Sequence, residues 1–150
     1  MVDVKKVPPD MLLNNLAETF KGDKRVEVPE WASYLKAGIH REKSWEDPDW
    51  YYKRLASTLR KVYLNGPIGI SKLSEEYGGR VDRGSISYHP AKGSRFIVRK
   101  MLLQLESLCY VKKDRKGRMV SPQGSSILDK ASKEVMKSLA QSNPSLEKYL

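Results

Sequence analysis

The sequence predicts a mainly α-helical chain, a winged-helix-like helical domain with a small β-hairpin wing and an N-terminal helical extension. Three observations predict it. Apolar residues recur at helical spacing along most of the chain. From residue 48 the order of elements is long helix, short helix, loop, third helix, two-stranded hairpin and helix, which is the order of a winged helix. The entry into the wing also has the right chemistry. Leu105-Glu-Ser-Leu108 ends a helix, Tyr110-Val111 starts a strand, and a basic turn closes on Gly117.

The extension spans residues 1–47, the core 48–122, and a C-terminal helix with its tail 123–150, all within one domain. Pro8-Pro9 suits a helix start, and Met11, Leu12, Leu13, Leu16 and Phe20 follow before Lys21-Gly22. Val28-Pro29-Glu30-Trp31 opens a second helix reaching Ala37, and residues 39–46 read as a polar connection. Asp47-Pro48 supplies an N-cap followed by proline, and Gly66-Pro67 stops the helix that results. At about 100° per residue, Tyr51, Leu55, Ala56, Leu59 and Val62 form its apolar arc. Lys53, Arg54, Arg60 and Lys61 fall on the opposite arc with Trp50 among them, and no acid accompanies them.

A short helix from Ile70 to Tyr77 ends at Gly78-Gly79, and residues 80–93 read as a basic loop. The third core helix runs from Ser94 to Leu108 with Ile97, Val98, Met101, Leu105 and Leu108 inward, and this helix should bury Cys109 as well. Tyr110–Lys113 and Arg118–Val120 make the wing around Asp114-Arg-Lys-Gly117. Ser121-Pro122 begins the last helix, which Pro144 closes.

A chain of 150 residues can bury about 70% of the surface its unfolded form exposes. It therefore needs no disulfide or metal, and its single cysteine permits no intrachain disulfide. There is no secretory h-region and no apolar run of membrane-spanning length. A cytoplasmic protein without a membrane or cofactor requirement, monomeric when free, is expected.

The net charge of +10 implies an anionic partner, and its distribution sharpens this. Residues 80–119 hold eleven Lys/Arg against three Asp/Glu, whereas residues 1–79 hold thirteen against twelve. Such segregation is the footprint of a nucleic-acid interface rather than of a solvated surface. Four patches carry it: the arc of Lys53, Arg54, Arg60 and Lys61; the loop with Arg80, Arg83, Lys92 and the amides of Gly78, Gly79, Gly84 and Gly93; Arg95, Arg99 and Lys100 on the third helix; and the wing turn with Lys112, Lys113, Arg115, Lys116 and Arg118. Arginine holds phosphate bidentately and stacks on bases. Trp50, Tyr88 and His89 are candidates to stack on unpaired bases. Packing is the competing reading for Trp50, and the leading one for Trp31 and Trp45.

Catalysis has little to work with. His40 and His89 are the only histidines, no Cys/His set has metal-ligand spacing, and the glycines form neither a P-loop nor a dinucleotide fingerprint. Glu75-Glu76 are adjacent on a helix and do not face each other.

Several segments resemble one family, the e-type small-subunit ribosomal protein nineteen of archaea and eukaryotes. They are Val28-Pro-Glu-Trp31, Trp50-Tyr-Tyr-Lys-Arg-Leu-Ala-Ser-Thr-Leu-Arg60, Tyr77-Gly-Gly-Arg80, Arg83-Gly84, His89, Gly93-Ser94, Leu105-Glu106 and Val120-Ser-Pro-Gln-Gly124. The resemblance covers residues 5–135. It implies a winged-helix-like protein in the head of the small subunit, contacting the 3′ major domain of its ribosomal RNA and neighbouring ribosomal proteins, with a part in subunit assembly and precursor-RNA maturation. Carried residue by residue, it points to Trp50, Arg54, Arg60, Arg80, Arg83, Gly93 and Arg99. Lys100 stands where relatives have arginine, which keeps the charge and loses the fork. Two other readings compete with it. A winged-helix transcription regulator would read DNA with the third helix, where Gln104 is the one base reader. A protein-interaction module would instead show a large exposed apolar patch.

Overall fold

The computed structural model describes residues 3–149, and the side chains of residues 3–146. The last residue of the expected tail lies outside the described residues. Five α-helices and two antiparallel hairpins follow in the order α1 (Pro9–Gly22), α2 (Trp50–Asn65), α3 (Ile70–Glu76), β1 (Gly79–Arg83), β2 (Ile86–Ala91), α4 (Arg95–Ser107), β3 (Val111–Asp114), β4 (Gly117–Val120) and α5 (Pro122–Ser142). Single 3-10 turns occupy Glu30–Ser33 and Pro144–Tyr149.

α2 is the axle of the molecule. Its Leu55, Ala56, Leu59 and Val62 have no solvent exposure, and α1, α4, α5 and β4 pack around it. α1 brings Leu12, Leu16 and Phe20 from one face, at the spacing that puts them on a single stripe. α4 brings Ile97, Val98, Met101, Leu102 and Leu105. α5 closes the core with Leu128, Ala131, Val135 and Met136.

The winged-helix arrangement is complete. β3 and β4 pair from Val111↔Val120 to Asp114↔Gly117, so Arg115-Lys116 are the two loop residues. The wing gains a third rung at Ile68, whose N–H donates to the Arg118 carbonyl at 3.0 Å and whose carbonyl accepts from the Arg118 N–H at 2.9 Å. Gly117 permits that approach. Its φ is 143°, and a Cβ there would lie 2.6 Å from the Ile68 carbonyl.

Four expectations change. The segment expected as a helix over 28–37 forms one 3-10 turn, because Pro29 and the following Gly38 leave too few residues for a stable helix. α2 starts at Trp50 rather than at Pro48: Asp47 instead accepts the Asp49 N–H at 2.9 Å, making a turn ahead of the helix. Residues 80–93, expected as a loop, form most of the β1–β2 hairpin. Cys109 is exposed, not buried. It occupies the left-handed position of a Schellman stop (φ 61°), with Cys109 N–H donating to Glu106 O and Tyr110 N–H to Leu105 O, both at 3.0 Å.

Candidate nucleic-acid interface

The basic arc of α2 does not present four free cations. Acids arrive from elsewhere in the chain: Asp47 accepts from Lys53 Nζ at 2.6 Å, and Glu76 from Lys61 Nζ at 3.0 Å. The Lys53 bond holds the Asp47 carboxyl below its ordinary pKa. Arg54 has no carboxylate partner among the described residues; its guanidinium lies 4.1 Å from the Tyr77 ring centroid and 5.1 Å from that of Trp45. Burial pulls its pKa down from the ordinary value. Arg60 is half-buried, with an enclosed Nε that has no partner.

Trp50 cannot stack on a base. It is only 6% exposed, its indole N–H donates to the Ala32 carbonyl at 3.0 Å, and Trp45 lies parallel to it at 5.1 Å. It does sit on the basic arc, but at the end of α2 that the 3-10 turn and Trp45 cover.

The β1–β2 hairpin pairs Gly79↔Ala91, Arg80↔Pro90, Val81↔His89 and Arg83↔Ile86. One residue more lies between Ile86 and His89 than between Val81 and Arg83, so β2 carries a bulge at Ser87-Tyr88 opposite Asp82. Cross-strand partners share a face. Arg80, Asp82, Tyr88 and Pro90 therefore lie on one side, and Arg83, Ile86, Val81 and His89 on the other. Residues 82–90 are exposed throughout, so both faces are open to a ligand.

The glycine amides expected to cradle phosphate are largely spent. Gly78 N–H donates to Glu75 O at 2.9 Å, Gly84 N–H to Asp82 Oδ1 at 2.9 Å and Gly93 N–H to Ser74 O at 2.8 Å. Gly93 is buried, and a Cβ there would stand 2.6 Å from the Tyr77 carbonyl. It is a packing position that clamps the base of the hairpin to α3. Lys92 reaches Glu75 at 2.8 Å, and that bond holds the Glu75 carboxyl below its ordinary pKa.

In the wing Arg118 is paired with Glu106 at 2.8 Å, but other predicted cations keep no acid partner among the described residues. Arg80 and Arg83 on the hairpin, Arg95, Arg99 and Lys100 on α4, and Arg115 and Lys116 at the wing tip are all exposed and form no ion pair. His89 is exposed beside Arg83. These side chains can neutralise several phosphates along an extended backbone.

α4 is poorly made for reading duplex bases. Gln104 is bonded to the Tyr51 hydroxyl and donates to the Glu27 carbonyl at 3.2 Å. Phe96, 48% exposed, rests edge-on against Trp31 at 5.2 Å, and Leu103, 46% exposed, continues the stripe beyond Lys100. With Val28, 45% exposed, they make an apolar strip that sequence reasoning missed. The signal was there: Phe96, Lys100 and Leu103 follow helical spacing on the side away from the core. Among the described residues there is no metal-binding cluster of His, Cys, Asp and Glu, and no helix long and apolar enough to cross a membrane.

The sequence profile of the family described as Ribosomal protein S19e matches residues 3–138. A small ribosomal subunit protein eS19 of Thermoplasma acidophilum is 51% identical over the whole of both chains. The eS19 of Aeropyrum pernix is 42% identical, again over both whole chains. The eS19B of Schizosaccharomyces pombe is 37% identical over 86% of this chain and 91% of its own. A winged-helix core, a segregated cationic face and this likeness along its length converge on one conclusion: the chain belongs to the ribosomal protein S19e family.

Proposed function

We propose that the protein is a structural constituent of the small ribosomal subunit that binds small-subunit ribosomal RNA in the head, through the 3′ major domain, and supports subunit assembly and precursor-RNA maturation. One observation carries the reading. Exposed cations with no acid partner among the described residues stand on the hairpin (Arg80, Arg83), on α4 (Arg95, Arg99, Lys100) and on the wing tip (Arg115, Lys116), while on α2 Lys53 and Lys61 are paired with acids and Arg54 is packed on rings. A scaffold protein needs this division, with inner cations stabilising its own fold and outer ones left to neutralise RNA. It acts in the cytoplasmic ribosome, and it does so by binding rather than by catalysis.

The apolar strip of Val28, Phe96 and Leu103 favours a second contact of a different kind. Aliphatic and edge-packed side chains suit a neighbouring ribosomal protein better than a phosphate backbone.

The test is affinity for a head-domain RNA fragment and for duplex DNA across a salt series, with the parent and with Arg99→Glu. Tight binding to the RNA, with a steep salt dependence that Arg99→Glu flattens, is the expected result. Equal or better binding to duplex DNA, indifferent to Arg99, overturns the reading.

A further inference from the structure

Between the β1–β2 hairpin and residues 37–47 lies a cleft of about 650 Å³. It is of the size that takes a small molecule or one nucleotide. Arg80, Asp82 and Tyr88 line one wall, and Ile39, His40 and Trp45 the other. Tyr88 neighbours His89 and alternates with it, so it lies on the Arg80 side of the hairpin.

The chemistry of the cleft differs from that of the rest of the surface. In a chain of net charge +10, its lining holds three cations and four carboxylates, close to balance. That is a poor seat for a phosphate and a good one for an uncharged ring. Two exposed side chains offer apolar cover, Tyr88 at 61% and Ile39 at 76%. Two ring nitrogens, Trp45 Nε1 and His40 Nδ1, are buried without a hydrogen-bond partner. Buried polar atoms are nearly always partnered in a finished structure. Neither atom is accessible in the free protein, so the cover a ligand meets is the exposed Tyr88 and Ile39 side chains.

We propose that this cleft receives one unpaired, extruded base of the bound RNA, with the Tyr88 ring against its face and the adjoining phosphate left to Arg80 at the rim. This deepens the RNA-binding reading above and rests on it. The hairpin is then one wall of a two-walled site whose other wall is the residue 37–47 segment.

The test uses the full chain and a head-domain fragment of small-subunit RNA. Tyr88→Ala should weaken binding about tenfold, as loss of one base stack does, and Tyr88→Phe should restore it. Ultraviolet cross-linking with peptide mapping should place a nucleotide adduct on Tyr88, Trp45 or His40. If the parent binds tightly while Tyr88→Ala binds equally well, or no adduct falls within residues 37–47 or 80–88, the cleft proposal is overturned and the RNA-binding reading stands. If the parent itself does not bind the fragment, the RNA-binding reading fails and the cleft falls with it.

Discussion

The guanidinium of Arg54 lies over Tyr77, 4.1 Å from its ring centroid, and the Tyr77 hydroxyl is held in turn by Ser57 Oγ at 2.9 Å and Thr58 Oγ1 at 3.3 Å on the same helix as Arg54. A cation expected to face RNA is thus part of the joint that fixes α2 to the end of α3. Arg54→Ala should cost about 1–2 kcal/mol of stability, and Arg54→Lys less. Urea unfolding with the free protein checks this. An unchanged midpoint in Arg54→Ala returns the residue to the RNA-binding face.

Gly93→Ala should act the same way, on the fold. The added Cβ would meet the Tyr77 carbonyl at 2.6 Å, backbone that cannot swing aside, and a loss of about 1–3 kcal/mol follows. The salt dependence of RNA binding by the folded fraction should stay as in the parent. A normal melting temperature with weakened RNA binding would make Gly93 a phosphate contact after all.

Cys109 adopts φ 61° at the stop of α4, a conformation that costs a residue with a Cβ about 1–2 kcal/mol. Cys109→Gly removes that cost, so it should raise the unfolding free energy by about 1 kcal/mol, less the greater freedom of glycine in the unfolded chain. A denaturant titration with an unchanged slope and a shifted midpoint is the expected record.

His40 supplies a pH dependence. Burial first, then the charges of Arg41 and Arg54, depress its pKa below the ordinary 6.5. The folded protein therefore resists protonation that the unfolded chain accepts. The stability this provides is fully present above pH 6.5 and is lost as pH falls through the depressed folded value. Melting temperatures measured from pH 7.5 down to about 5 should fall more steeply in the parent than in His40→Gln. Parallel profiles would show that His40 protonates as freely in the fold as out of it.

The exposed arginines should separate cleanly from the paired lysines in RNA binding. Arg99→Ala and Arg83→Ala each remove an unpaired cation, and each should lower the slope of log affinity against log salt by about one. Lys53→Ala should move it less, because Lys53 Nζ is already committed to Asp47.

Much of the fold was legible because its helices are amphipathic and punctuated. Pro9, Ser94 and Pro122 mark starts, Gly22 is the last residue of α1, and Gly66 and Asn143 follow the ends of α2 and α5. The β1–β2 hairpin was not legible, since residues 82–90 face solvent on both sides and so carry no alternation of apolar and polar. The winged-helix core could be inferred from the order of its elements, but the third rung at Ile68 could not, being a backbone contact between residues fifty apart. The site was legible as a set of cations, and only partly as a surface. Asp47 and Glu76, which neutralise Lys53 and Lys61, approach α2 from other segments. A helical projection of α2 alone cannot register them, nor the cover over Trp50.

The packing of α1 on α5 sets an order on the making of the protein itself. Asn15 Nδ2 donates to Glu134 Oε2 at 3.2 Å across 119 residues of chain, and the buried face of α1 meets α5 as well as α2. During synthesis α1 emerges early and can dock on α2, but the side it turns toward α5 stays bare until about the last fifth of the chain is being added. A chain stopped before α5 leaves that apolar side open, the kind of transiently exposed surface that makes partly made chains prone to aggregate. The far end of the polypeptide thus acts as its certificate of completion.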